Sequence, residues 1–184
     1  GSAPAAPSSL TGSQDPTSIK INLSWTDNSS DETAFAVERK LATSGTYAHI
    51  ATTSANAVSY DDTTVAQGVT YNYRLRAYNA GGYSSYSNTA TATAPSVPAA
   101  PSLSAVVSST TPTDVVLSYF TSGANYYTIE RSFTSTSSFS FLATSTVGTY
   151  TDVNPGSGTW WYRVTGTNNY GASAYSPFAF VVLP

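Results

Sequence analysis

The stretch Tyr71-Asn72-Tyr73-Arg74-Leu75-Arg76-Ala77-Tyr78-Asn79 decides the fold. Its inward candidates, Tyr71, Tyr73, Leu75 and Ala77, recur at every second residue, with Asn72, Arg74, Arg76 and Tyr78 between them. Side chains on an extended backbone point alternately to opposite faces, so a period of two means a strand with one buried and one wet face. Ile19, Ile21, Leu23 and Trp25 alternate in the same way with Ser18, Lys20, Asn22 and Ser24. Turn-forming runs separate such segments: Asp27-Asn28-Ser29-Ser30, Ala80-Gly81-Gly82 and Asn154-Pro155-Gly156. No segment keeps helical spacing. Several short strands at regular intervals read as an all-β chain folded into antiparallel β-sandwiches.

The deciding stretch is written twice. Tyr73-Arg74-Leu75 returns as Tyr162-Arg163-Val164, and Asn79, Gly82, Ser84, Tyr86 and Ser87 return as Asn168, Gly171, Ser173, Tyr175 and Ser176. Further upstream, Leu23-Ser24-Trp25 returns as Leu117-Ser118-Tyr119, and Phe35-Ala36-Val37-Glu38-Arg39 as Tyr127-Thr128-Ile129-Glu130-Arg131. The offset drifts from 94 residues at Pro4/Pro98 to 89 at Asn79/Asn168, as loop insertions and deletions between fixed strands produce. The expected organisation is residues 1–2 as a cleavage scar of protein production, 3–95 as domain 1 and 96–184 as domain 2. The join, Ala94-Pro95-Ser96-Val97-Pro98, carries two prolines that restrict its backbone and reads as a semi-rigid connector.

Composition excludes much chemistry. The 184 residues include 7 Lys and Arg and 10 Asp and Glu, and the net charge is −3. That balance argues against a nucleic-acid partner, which wants a basic patch, and no apolar run approaches the roughly 18 residues of a membrane-spanning helix. There is no Cys, hence no disulfide, thiol nucleophile or Cys-ligated metal, and the single His49 cannot form a His pair. With 40% hydrophobic residues the chain still has ample material for a core.

The motifs together resemble the fibronectin type III family, over both copies. They are the Pro-rich start with Pro7, Leu10 and Trp25, the third strand with Phe35, Val37 and Arg39, and the pattern carried by Tyr71, Tyr73, Arg74, Leu75, Ala77, Asn79, Gly82, Ser84 and Ser87. The segment Trp25–Thr33 is similar to the bacterial branch. The resemblance implies two immunoglobulin-like sandwiches of seven strands each. Their cores would rest on Trp25, Tyr71 and Tyr73 in copy one and on Tyr119, Trp160 and Tyr162 in copy two. Copy two departs twice: Tyr119 replaces the Trp, and Trp160 stands where Tyr71 makes the family's tyrosine corner. An indole offers only an N–H donor, so the phenol bond of that corner cannot form at Trp160. The resemblance further implies a non-catalytic spacer or accessory pair in a larger bacterial protein, secreted or on the cell surface. The parent would be a polysaccharide-degrading enzyme, an adhesin or a phage structural protein. Flanking domains would then be its partners, with no cofactor, no membrane insertion and a monomeric state.

The charged and aromatic residues allow sharper expectations. Glu38 and Arg74, and likewise Glu130 and Arg163, fall on the outward phase of strands that the resemblance makes sheet neighbours, and are expected to pair across them. The group Asp27, Asn28, Asp31 and Glu32 lacks calcium-loop spacing and reads as Asx turns. Asp61, Asp62 and Asp152 read as solvated loop carboxylates. For binding, the candidates are Trp161 beside Arg163, Tyr78 beside Arg76, and Tyr126, as exposed aromatics that stack on a sugar ring or anchor a protein. The plainer expectation is that Trp161 stacks on the stem of Arg163 or Arg131.

Overall fold

Tyr73, Leu75 and Ala77 are fully buried and Tyr71 nearly so, in the strand Thr70–Asn79 that alternates as its sequence dictates. The computed structural model describes residues 1–184 and contains sixteen strands and no helix. The chain divides into two compact units, Gly1–Ser96 and Val97–Pro184. Unit 1 holds β1 (Ser8–Gln14), β2 (Ile21–Thr26), β3 (Ala34–Leu41), β4 (Ala48–Ser54), β5 (Ser59–Asp62), β6 (Thr70–Asn79), β7 (Gly82–Tyr83) and β8 (Ala90–Thr93). Unit 2 holds β9 (Ser102–Val107), β10 (Val115–Phe120), β11 (Tyr126–Phe133), β12 (Ser140–Ser145), β13 (Thr149–Asp152), β14 (Gly158–Asn168), β15 (Gly171–Ala172) and β16 (Ala179–Leu183).

Each unit is a two-sheet antiparallel sandwich. In unit 1 one sheet runs β1-β2-β5, and the other runs β4-β3-β6 with β7 and β8 both paired to β6. Unit 2 repeats this as β9-β10-β13 and β12-β11-β14, with β15 and β16 on β14. Seven strands make each sandwich, and the two-residue β7 and β15 are additions to that count. The register is repeated as well. A bulge interrupts the β3–β4 pairing between Val37 and Glu38, and the matching bulge lies between Ile129 and Glu130.

The inner sheet faces form one apolar core per unit. Ile21, Leu23, Trp25, Phe35, Val37, Tyr71, Tyr73 and Leu75 fill the first; Val115, Leu117, Tyr119, Tyr127, Ile129, Tyr162, Val164 and Val181 fill the second. Trp25 packs at 5.7 Å from Phe35, and Tyr119 meets Tyr127 edge-on at 4.9 Å in the equivalent place. The repeated serines have a structural use. Ser84 and Ser87 Oγ accept from the backbone N–H of Ala77 and Leu75, and Ser173 and Ser176 do so from Gly166 and Val164. They satisfy backbone donors of the long strand beyond the two-residue β7 and β15, where no continuous strand runs alongside.

Candidate functional site

Two features of each unit carry chemistry: an ionic cluster between the sheets and the outer face of the larger sheet. The cluster corrects an expectation. Asp62 and Asp152 are not solvated loop groups but are 0% and 3% exposed. Asp62 accepts from Arg39 Nη1 at 2.6 Å, from the Tyr73 hydroxyl at 2.9 Å, and from the Thr64 N–H and hydroxyl. Asp152 accepts from Arg131 Nη1 at 2.7 Å through both oxygens and from the Tyr162 hydroxyl at 2.9 Å. Burial pushes the carboxyl of Asp62 up, but the hydrogen bonds from Thr64, Arg39 and Tyr73 outweigh it and hold it below its ordinary value. Burial, and then the charge of the nearby aspartate, raise the hydroxyls of Tyr73 and Tyr162. A signal for these buried acids was present. Tyr60 and Asp62 share one phase of β5, as Tyr150 and Asp152 share one phase of β13, and that phase points inward.

The corner position next to the cluster differs between units. The Tyr71 hydroxyl accepts from the Ala66 N–H at 3.1 Å. Trp160 instead donates its indole N–H to the Gly156 carbonyl at 2.9 Å, so the loop is tied with donor and acceptor exchanged. Arg39 lies over the Tyr71 ring at 4.5 Å and Arg131 over Trp160 at 4.8 Å.

On the outer face, Glu38 Oε2 is 2.7 Å from Arg74 Nη2, and Glu130 Oε2 is 2.6 Å from Arg163 Nη2. Tyr86 and Tyr175 donate to the second oxygens of these glutamates. In unit 1 a ladder of rings and guanidinium groups crosses the sheet. Arg74 lies 4.0 Å from the Tyr47 ring and 3.7 Å from Tyr86, and Arg76 lies 4.7 Å from Tyr86 and 3.9 Å from Tyr83. Tyr78 is at its end, 5.3 Å from Tyr83. Tyr78 and Arg76 are thus half-buried parts of a packed surface.

Unit 2 keeps only a short ladder, with Arg163 over Phe139 at 4.3 Å and Tyr175 at 3.7 Å. Trp161 does not stack on Arg163 or Arg131, contrary to the plainer expectation. It packs on Phe180 at 4.8 Å and edge-on to Phe178 at 6.4 Å, and Phe178 stacks on Phe139 at 5.4 Å with 12° between the rings. The cause is β16, whose register places Phe180 opposite Trp161, a position where β8 offers Thr91 opposite Asn72. Tyr126 lies elsewhere, six residues before Ser132, the residue opposite Trp161, hence roughly 20 Å along the strand. It lines a shallow cavity with Thr144, Ser145 and Thr146.

The acidic loop residues are used locally. Asp27 caps the Ser29 N–H at 2.9 Å, and Glu32, 7% exposed, accepts from the Asn56 N–H at 2.9 Å. His49 is exposed beside the Thr52 hydroxyl.

No protein-family model matches the chain, and no curated protein matches it. Among solved structures, the chain is similar to the FN1–FN3 domains of chicken CNTN1, at 16% identity and a TM-score of 0.47, covering all of this chain and 66% of that one. It is also similar to an Fn3-like protein from Clostridium thermocellum, at 32% identity and a TM-score of 0.44, covering 50% of this chain and 93% of that one.

Proposed function

Because the chain is a tandem of two fibronectin type III-like domains, we propose that it serves as a non-catalytic spacer or accessory pair within a larger secreted or cell-surface protein. The observation that carries this reading is the use made of the basic side chains. All seven are engaged inside their own unit: six in ion pairs with carboxylates, and Lys40 over the Tyr47 ring at 5.4 Å. The pairs Arg39–Asp62 and Arg74–Glu38 of unit 1 have exact counterparts in Arg131–Asp152 and Arg163–Glu130 of unit 2. Charge repeated at the same strand positions of two copies supports the sandwich rather than one convergent reaction site. An attached polysaccharide-degrading enzyme or an adhesin fits this role, outside the cell.

The test is replacement. Exchanging residues 3–184 in the parent protein for an unrelated pair of sandwich domains of equal length should leave its activity within about twofold, as fold alone does not fix function. A loss reproduced by Trp161→Ala in a folded chain would instead make the pair a binding module.

A further inference from the structure

The outer face of β12, β11, β14 and β16 carries Phe141, Trp161, Phe180 and Val182, with Phe139 and Phe178 just ahead of β12 and β16, drawn from three separate segments. Phe141 is 66% exposed, Phe178 50%, Phe180 55% and Val182 63%. At the matching positions of unit 1 stand Tyr47, His49, Asn72, Thr89, Thr91 and Thr93, where Thr91 hydrogen-bonds Asn72 and Thr93 hydrogen-bonds Thr70. The sandwich therefore does not require an apolar surface here.

We propose that this face of unit 2 is the contact through which two copies of the chain associate, face to face about a two-fold axis. A two-fold contact brings each patch against its own image, so a patch with net charge repels itself. The charged groups on this face are Glu130 and Arg163, which neutralise each other at 2.6 Å. Unit 2 as a whole has three acidic and two basic residues, so two copies of it set little like charge against each other. The area is adequate. Phe141, Phe178 and Phe180, half exposed or more, with Val182 and smaller shares of Phe139 and Trp161, give about 500 Å² per copy and about 1,000 Å² in all, at the low end for specific interfaces. A glycan chain fits less well. It needs open ring faces, whereas Phe139 and Phe178 are stacked on one another and Arg163 covers Phe139. The pairing departs from the monomer expected from the sequence.

Sedimentation velocity of the full chain, over roughly 10 μM to 1 mM, covers the affinities of small interfaces. The sedimentation coefficient should rise with concentration toward that of a dimer. Phe178→Thr with Phe180→Thr, which restores the unit 1 residues, should raise the dissociation constant by at least about tenfold. Phe141→Lys, at a side chain too exposed to matter for folding, should do the same by setting like charges against each other. His49→Lys, its match in unit 1, should change nothing. A chain that stays monomeric to the top of the range overturns the proposal. So does association indifferent to Phe141→Lys, or a monomer retained on insoluble cellulose or chitin through Phe178 and Phe180.

Discussion

The two units agree inside and disagree outside. Between the sheets, Asp62, Arg39 and Tyr73 of unit 1 stand as Asp152, Arg131 and Tyr162 do in unit 2, and both long strands bury alternate residues. On the outer face, the partner of Thr91 is Asn72, whereas the partner of Phe180 is Trp161. The interior is fixed by what the sandwich must bury and satisfy. The outer face is not held to one set of residues: threonine and asparagine stand in unit 1 where phenylalanine and tryptophan stand in unit 2.

The largest effect is expected in the core. Trp25, 6% exposed and packed on Phe35, should cost about 3–5 kcal/mol when changed to Ala. A domain of this size has only about 5–10 kcal/mol of stability, so unit 1 should melt early while unit 2 keeps its own transition, as seen by calorimetry. Next comes the ionic cluster. Asp62→Asn leaves Arg39 without its charge partner and disturbs a four-donor site, and about 1–3 kcal/mol should be lost from unit 1 in chemical denaturation. Asp152→Asn should act likewise on unit 2 alone.

Acid offers a gentler test. The carboxyl of Asp62 is held low by its donors, that of Asp15 by the Thr17 N–H foremost, and that of Glu32 by the Asn56 N–H foremost. A carboxyl lowered by folding adds stability above its unfolded value, 3.8 for Asp, and that stability is lost as the pH falls through the folded value. The melting temperature of unit 1 should therefore fall between about pH 5 and pH 2. Fluorescence of Trp25, in a chain with Trp160 and Trp161 changed to Phe, isolates this unit; a melting point flat across that window would contradict the assignment. The smallest effect belongs to the outer pair. Glu38→Gln should cost only about 0.2–1 kcal/mol, because Arg74 is 29% exposed at its side chain and stays sandwiched by Tyr47 and Tyr86.

Much of the fold is legible in the chain because a period of two is a local property. Tyr71 to Ala77 declare their phase without reference to anything distant, and the second copy repeats the declaration. The Glu38–Arg74 opposition follows once the two strands are neighbours. The burial of Asp62 is not legible locally, because it rests on donors from three residues, of which Arg39 comes from β3 and Tyr73 from β6. The aromatic face was only glimpsed at Trp161. Its companions Phe178 and Phe180 lie some 20 residues later, and only the β14–β16 register brings them together. The donor–acceptor exchange at Trp160 was half legible: indole chemistry forbids the phenol bond, but only the loop geometry shows that Gly156 supplies an acceptor.

In each unit the interior carries the stability and the outer face little of it. Calorimetry of the chain carrying Phe178→Thr and Phe180→Thr tests this most directly. The prediction is that the transition of unit 2 moves by no more than about 1–1.5 kcal/mol, the worth of lost ring contacts, and that of unit 1 stays in place. A loss in unit 2 as large as Trp25→Ala causes in unit 1 would make those rings part of the core and contradict the account.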